Sequence, residues 1–200
     1  HLHCLNKMDG RKLWSHDLAK EYGASQLLWG YSSSAIAYDK TIILPVGGKG
    51  AGVIAFDQES GSAVWSRHDF GNAYSTGVLI NLDGQDQVVM FVQDLVVGIE
   101  PKSGDLLWQH DHKTDWNVNA TMPLFGRDNI LFVSSAYKTG SRALQLSRDG
   151  DKTNVEEVWA SKKMAIGQGN VIRVGDDVYG VTGGFSASFL TSANIKTGEI

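Results

Sequence analysis

Residues 55–65, Ala-Phe-Asp-Gln-Glu-Ser-Gly-Ser-Ala-Val-Trp, constrain the fold more than any other stretch, because their spacing recurs along the whole chain. Aligned on the glycine, the pattern has a small residue six positions before it and an acid or amide four before. Ser, Thr or Asp stands immediately before the glycine, and Trp four after it. Gly10, Gly61 and Gly104 keep the tryptophan as Trp14, Trp65 and Trp108, and Gly198 opens a further copy with Ser192, Asn194 and Thr197. Gly150 opens a degenerate copy, with Leu144 and Leu146 upstream, an insertion at 151–155, and Trp159 nine residues on.

The five glycines are separated by 51, 43, 46 and 48 residues, a period of supersecondary size that indicates a solenoid or a propeller. Between them lie short β-branched runs: 41–46, 52–56 and 63–65, then 76–80, 87–92, 96–99 and 106–110, then 120–125, 129–134, 142–146 and 157–160. Gly, Asp and Asn punctuate these runs, as expected of strands joined by tight turns, and helical periodicity is essentially absent. Four short antiparallel strands per repeat form a propeller blade, so the sequence predicts an all-β fold: a partial β-propeller ring of roughly four blades. Residues 1–14 are expected to end one blade, about 29–67, 72–111 and 116–162 to form full blades, and 168–200 to form an incomplete one. These ends do not close a ring, which predicts a piece of a longer propeller with unpaired strands at its margins.

The glycine motif falls on the hairpin joining the third strand to the outermost one. There the acid or amide opens the turn, the hydroxyl supports it, and glycine takes the positive φ of a bulged turn. The tryptophan fills the wedge between splayed blades and is expected to stack on the small position of a neighbour, namely Cys4, Ala55, Gly98 or Ser192, and on nearby backbone. Leu144 departs from that pairing.

Composition narrows the function classes. A net charge of -4 and the lack of any Lys/Arg run interleaved with aromatics leave no electrostatic footprint for nucleic acid. The single cysteine, Cys4, excludes an internal disulfide and any multi-cysteine metal site. No run approaches the roughly 18 apolar residues of a transmembrane helix.

The pattern A-x-D-x-x-[ST]-G-x-x-x-W resembles the tryptophan-docking repeat of the quinoprotein-like, or pyrroloquinoline quinone (PQQ)-like, β-propellers. Residues 55–65 match it at every specified position. The stretches Trp29-Gly30-Tyr31-Ser32, Pro45-Val46-Gly47-Gly48-Lys49 and Ala73-Tyr74-Ser75-Thr76 are similar to the blades of bacterial PQQ-binding-like repeat proteins. The resemblance implies an exported protein, periplasmic or at the cell surface, in one of two branches. One comprises PQQ-dependent alcohol or sugar dehydrogenases. The other comprises BamB-type scaffolds, which bind no quinone.

A propeller binds ligands at a channel mouth, on the loops leading from each outer strand to the next blade. Here those loops are 29–34, 72–77, 116–121 and 167–170. They carry Trp29, Tyr31, Asn72, Tyr74, Trp116, Asn117, Asn119, Gln168 and Asn170, groups suited to stacking on a flat ring or holding a peptide. Quinone catalysis, by the resemblance, adds PQQ with calcium and an aspartate base. Asp115 is the acid adjoining these loops, and Asn117 and Asn119 are possible oxygen ligands. The dehydrogenase branch's vicinal cysteine pair has no counterpart in this sequence. The pairs His16-Asp17, His68-Asp69 and His110-Asp111 follow successive repeat tryptophans. Equivalent strands are spread around a rim, so these pairs are expected to form an exposed polar edge and no metal site. Gly47-Gly48-Lys49-Gly50 and Gly183-Gly184 read as matching hairpin loops. The leading expectation is a non-catalytic binding or scaffolding propeller taking a protein, peptide or small molecule on its channel face. The alternative is part of a PQQ-dependent alcohol or sugar dehydrogenase.

Overall fold

Three four-stranded antiparallel sheets dominate the computed structural model, which describes residues 1–24, 27–183 and 187–200. The first joins β3 (Ile36–Tyr38), β4 (Thr41–Gly48), β5 (Ala51–Asp57) and β6 (Ala63–Arg67). The second joins β7 (Val78–Leu82), β8 (Gln85–Val92), β9 (Leu95–Ile99) and β10 (Leu106–Asp111). The third joins β11 (Leu124–Phe125), β12 (Ile130–Ser135), β13 (Gly140–Asp149) and β14 (Lys152–Ser161). A two-stranded sheet, β1 (Leu2–Leu5) with β2 (Lys12–His16), precedes them. A three-stranded sheet, β15 (Ile172–Val174), β16 (Asp177–Thr182) and β17 (Phe189–Asn194), follows. This is a partial β-propeller of about four blades.

The core lies between blades. Val88, Met90 and Val92 of β8 pack with Ile43, Val53 and Trp65 of the preceding blade. Val89 and Phe91 of the same strand pack with Leu131, Val133 and Leu144 of the following one. A central strand covered on both faces needs an unbroken apolar run, which is why 88–92 does not alternate. Each fully buried side chain of this size contributes about 1.5–3 kcal/mol.

The repeat tryptophans dock in a way the linear pattern did not convey. Trp14, Trp65 and Trp159 lie on Gly61, Gly104 and Gly198 of the next repeat, where an added Cβ would sit 2.7, 2.6 and 2.7 Å from the ring. Their indole N–H groups donate to Gln58 O (3.0 Å), Pro101 O (3.1 Å) and Ile195 O (2.7 Å), in each case three residues before that glycine. The expected stacking is therefore corrected in part: the rings do lie on a neighbour's backbone, but at its motif glycine and not at the Cys4, Ala55 or Gly98 position. Cys4, Ala55 and Gly98 pair across the ladder with their own blade's Trp14, Trp65 and Trp108, where directly opposed side chains crowd one another. In the degenerate copy a bulge after Ala143 places Ala143, not Leu144, opposite Trp159.

The insertion at 151–155 lengthens a hairpin. β13 and β14 stay paired out to Asp149 and Lys152. The arm is braced against the preceding blade by Gln87 Nε2 donating to Thr153 Oγ1 (2.9 Å) and Arg148 donating to Asp83 O (3.1 Å). Trp108 consequently has no docking glycine at Gly150, which sits open at the tip, and its N–H donates instead to Gln87 Oε1 at 2.7 Å.

Local structure adds detail to these expectations and corrects one of them. A short helix, α1 (Leu18–Tyr22), and a single 3-10 turn at Asp115–Asn117 interrupt the β chain. Asp17 caps α1 by accepting from Lys20 N, and Gly23 ends it at φ 64°. Five residues are too few to create a helical period. The histidines do not form a simple exposed rim: His16 and His68 bond through Nε2 to the docking carbonyls Gly61 O and Gly104 O, both at 2.7 Å. His16 also meets Glu21 at 2.6 Å, which holds that carboxyl below its usual range. Gly47–Gly50 forms the β4–β5 hairpin, with Gly48 opposite Ala51. Gly183 has φ 129°, and Gly184 lies outside the described residues.

Candidate functional site

The inter-blade loops converge on an aromatic cleft of about 300 Å³, bounded by Trp29, Ser32, Tyr74, Val118, Ala120, Tyr137 and Gln168. On one wall, Trp29 and Tyr74 have ring centroids 5.7 Å apart, and Trp29 N–H reaches the Tyr74 hydroxyl at 3.4 Å. Ser32 Oγ donates to Tyr74 O at 2.9 Å, tying the first loop to the second. Beside the other wall, Trp116 and Tyr137 form a second pair, also 5.7 Å apart. Trp29 is 57% and Trp116 69% exposed, unusual for side chains of such apolar area.

Backbone strain concentrates here. Trp116, Asn117, Tyr137 and Lys138 all have positive φ, between 57° and 73°. Non-glycine residues rarely occupy this region, and such strain persists only where surrounding structure enforces it. Asp115 N donates to Tyr137 O (3.2 Å), and Lys138 Nζ closes on the Asp115 carboxylate at 2.8 Å, so the two loops clamp each other. The same carboxylate raises the pKa of Lys138.

The other residues singled out from sequence divide between roles. Gln168 reaches the cleft. Asn119 is fully buried: Nδ2 donates to Gln93 O and His112 O, while Oδ1 accepts from Ser135 Oγ at 2.6 Å. His112 Nε2 lies 3.0 Å from Ser135 Oγ. Because Ser135 spends its proton on Asn119, His112 must donate, leaving a bare Nδ1 that has no partner among the described residues. Burial, with Arg142 and His110 nearby, lowers the pKa of this imidazole to about 3. Asn72 is buried, its Oδ1 accepting from Ala73 N, and its side chain lies beside Tyr31, whose hydroxyl donates to Val46 O at 3.1 Å. Asn170 accepts from Met122 N and lines a separate, open depression of about 830 Å³ between β7 and β11. Tyr137 was not singled out from sequence, because it sits on the loop within a blade, between β12 and β13, and not between blades.

Of the oxygen groups proposed for calcium and for the base, Asn119 and Asp115 are already engaged. Calcium takes six to eight oxygen ligands, whereas Asn119 is committed inward and Asp115 is held by Lys138. Among the described residues, no group of three or more His, Cys, Asp or Glu is arranged to hold a metal. PQQ itself carries three carboxylates, and among the described residues the cleft lining offers no cation to them.

Four-stranded antiparallel blades joined by this motif define the class as a PQQ-like β-propeller repeat protein. The chain belongs to the family described as outer membrane protein assembly factor BamB, whose model matches residues 1–200. Among solved structures it is similar to BamB from Moraxella catarrhalis (17% identity, TM-score 0.51), matching over 84% of this chain and 51% of that one. It is also similar to a europium-containing methanol dehydrogenase (12% identity, TM-score 0.56), over 96% of this chain and 48% of that one. The chain thus spans about half the length of these structures, and at such identities the likeness is one of fold. No curated protein matches the chain.

Proposed function

We propose that the chain is part of a non-catalytic binding or scaffolding propeller that holds a protein or peptide on its channel face, in the periplasm. The observation that carries this reading is the aromatic cleft. Its walls offer stacking surface on a strained frame, while the Asp115 carboxylate and the Asn119 amide that catalysis would draw on are engaged in holding loops and blades together. Membership of the BamB family supports protein partners and a periplasmic, outer-membrane-associated setting. Likeness to a methanol dehydrogenase keeps the alternative, a PQQ-dependent alcohol or sugar dehydrogenase, worth testing.

Titration of the protein with PQQ and calcium, followed by dye reduction with methanol, ethanol or glucose, separates the two. The scaffold reading expects neither saturable quinone binding nor turnover, together with retention of peptides on an array. Saturable binding accompanied by dye reduction refutes it.

A further inference from the structure

We infer that the aromatic cleft recognises a proline-rich segment in the polyproline II conformation; this rests on the peptide-binding reading above and gives it a ligand class. The rings of Trp29, Tyr74 and Tyr137 line the cleft together with Val118 and Ala120; Trp29 pairs with Tyr74, and Tyr137 pairs with Trp116 at the edge of that lining. Both tryptophans are more than half exposed, and among the described residues no acceptor meets either indole N–H. The site therefore offers aromatic faces and hydrogen-bond donors.

Each alternative chemistry fails on a specific point. Anionic ligands meet no cation among the described residues of the lining, and the adjacent Lys138 is already paired with Asp115. A saccharide requires several donors and acceptors for its hydroxyls, yet among the described residues Gln168 is the one amide side chain lining the cleft, and Ser32 already donates to Tyr74 O. Strand addition needs an open ladder edge, whereas these walls are loops and side chains.

A proline-rich chain matches what remains. It presents flat saturated rings and unsatisfied backbone carbonyls, and it contributes few N–H groups that would demand acceptors. With three residues per turn and a rise of about 3.1 Å per residue, rings at i and i+3 share one face roughly 9 Å apart. Such segments are preorganised and dock into grooves lined by aromatic side chains whose indole donors meet their carbonyls.

The test is titration of the full chain with decaproline, followed by tryptophan fluorescence and calorimetry, with a Gly/Ser decapeptide, maltose and tetramethylammonium as controls. Decaproline is expected to saturate with a blue shift, and the controls are not. Trp29→Ala and Trp116→Ala are each expected to weaken binding about tenfold or more, as removal of an aromatic anchor does, without moving the melting temperature. Trp29→Phe, which keeps a ring and loses the N–H, falls between. Decaproline that does not saturate, binds equally well to both alanine variants, or is outcompeted by maltose or tetramethylammonium overturns the inference. If decaproline is silent while a strand-forming peptide binds the same face, the ligand class fails and the scaffold reading stands. Quinone binding with dye reduction defeats both.

Discussion

Replacing Gly104 and Gly150 by alanine, one at a time, isolates the energy of tryptophan docking. Both glycines have left-handed φ, 77° and 60°, so both substitutions carry the backbone penalty of about 1–2 kcal/mol for an L-residue there. Their surroundings differ. At Gly150 a Cβ meets nothing within 4 Å, whereas at Gly104 it comes 2.6 Å from Trp65 Cε3 and 2.9 Å from Arg67 Cγ. Carbon atoms prefer about 3.5–4.0 Å, so the ring must lift by roughly an ångström. Trp65 is 8% exposed and tethered to Pro101 O at 3.1 Å, and overpacking of this kind costs about 1–3 kcal/mol. Gly104→Ala should therefore destabilise by about 2–5 kcal/mol and Gly150→Ala by about 1–2. With an m-value near 2 kcal/mol/M, the urea midpoints should differ by roughly 0.5–1.5 M. In a double-mutant cycle with Trp65→Ala, the excess cost at Gly104 should disappear. Equal midpoints for the two glycine variants, or no coupling to Trp65, would refute the reasoning.

Three other perturbations follow from the buried polar groups. His112, with a pKa lowered to about 3 by burial, stays neutral in the fold while the unfolded chain takes up its proton below about 6.5. Its contribution is therefore complete above that pH and declines by about 1.4 kcal/mol per unit as the pH falls towards 3; His112→Gln should flatten the acid limb of stability measured by urea melts. Ser135→Ala leaves His112 Nε2–H and Asn119 Oδ1 unpaired in the interior and should cost about 1–3 kcal/mol in the same assay. Arg173 reaches across blades to grip both Asp128 oxygens at 2.7 and 2.6 Å, holding that carboxyl below its usual range. Asp128→Ala should cost about 1.5–3 kcal/mol at neutral pH, and the difference from the parent chain should vanish as the pH falls through the depressed pKa, as thermal melts can check.

Architecture was legible in the sequence because its determinants are local and repeated. A glycine that must adopt positive φ, a turn-forming acid, a hydroxyl and a tryptophan at constant spacing specify one hairpin, and apolar runs of strand length specify the sheets around it. Of the residues singled out from sequence, Trp29, Tyr74 and Gln168 line one cleft. What sequence could not convey is which groups face one another across blades. Tertiary structure alone decided that Trp65 docks on Gly104 and not on a small residue, and that a bulge puts Ala143 opposite Trp159. It also decided that Asn119 turns inward to Ser135 and His112, while Tyr137 joins the cleft from within a blade. Strand, turn and repeat follow from neighbours along the chain. Burial, proton sharing and the shape of a cleft depend on partners tens of residues away, and only the packing of one blade on the next brings these together.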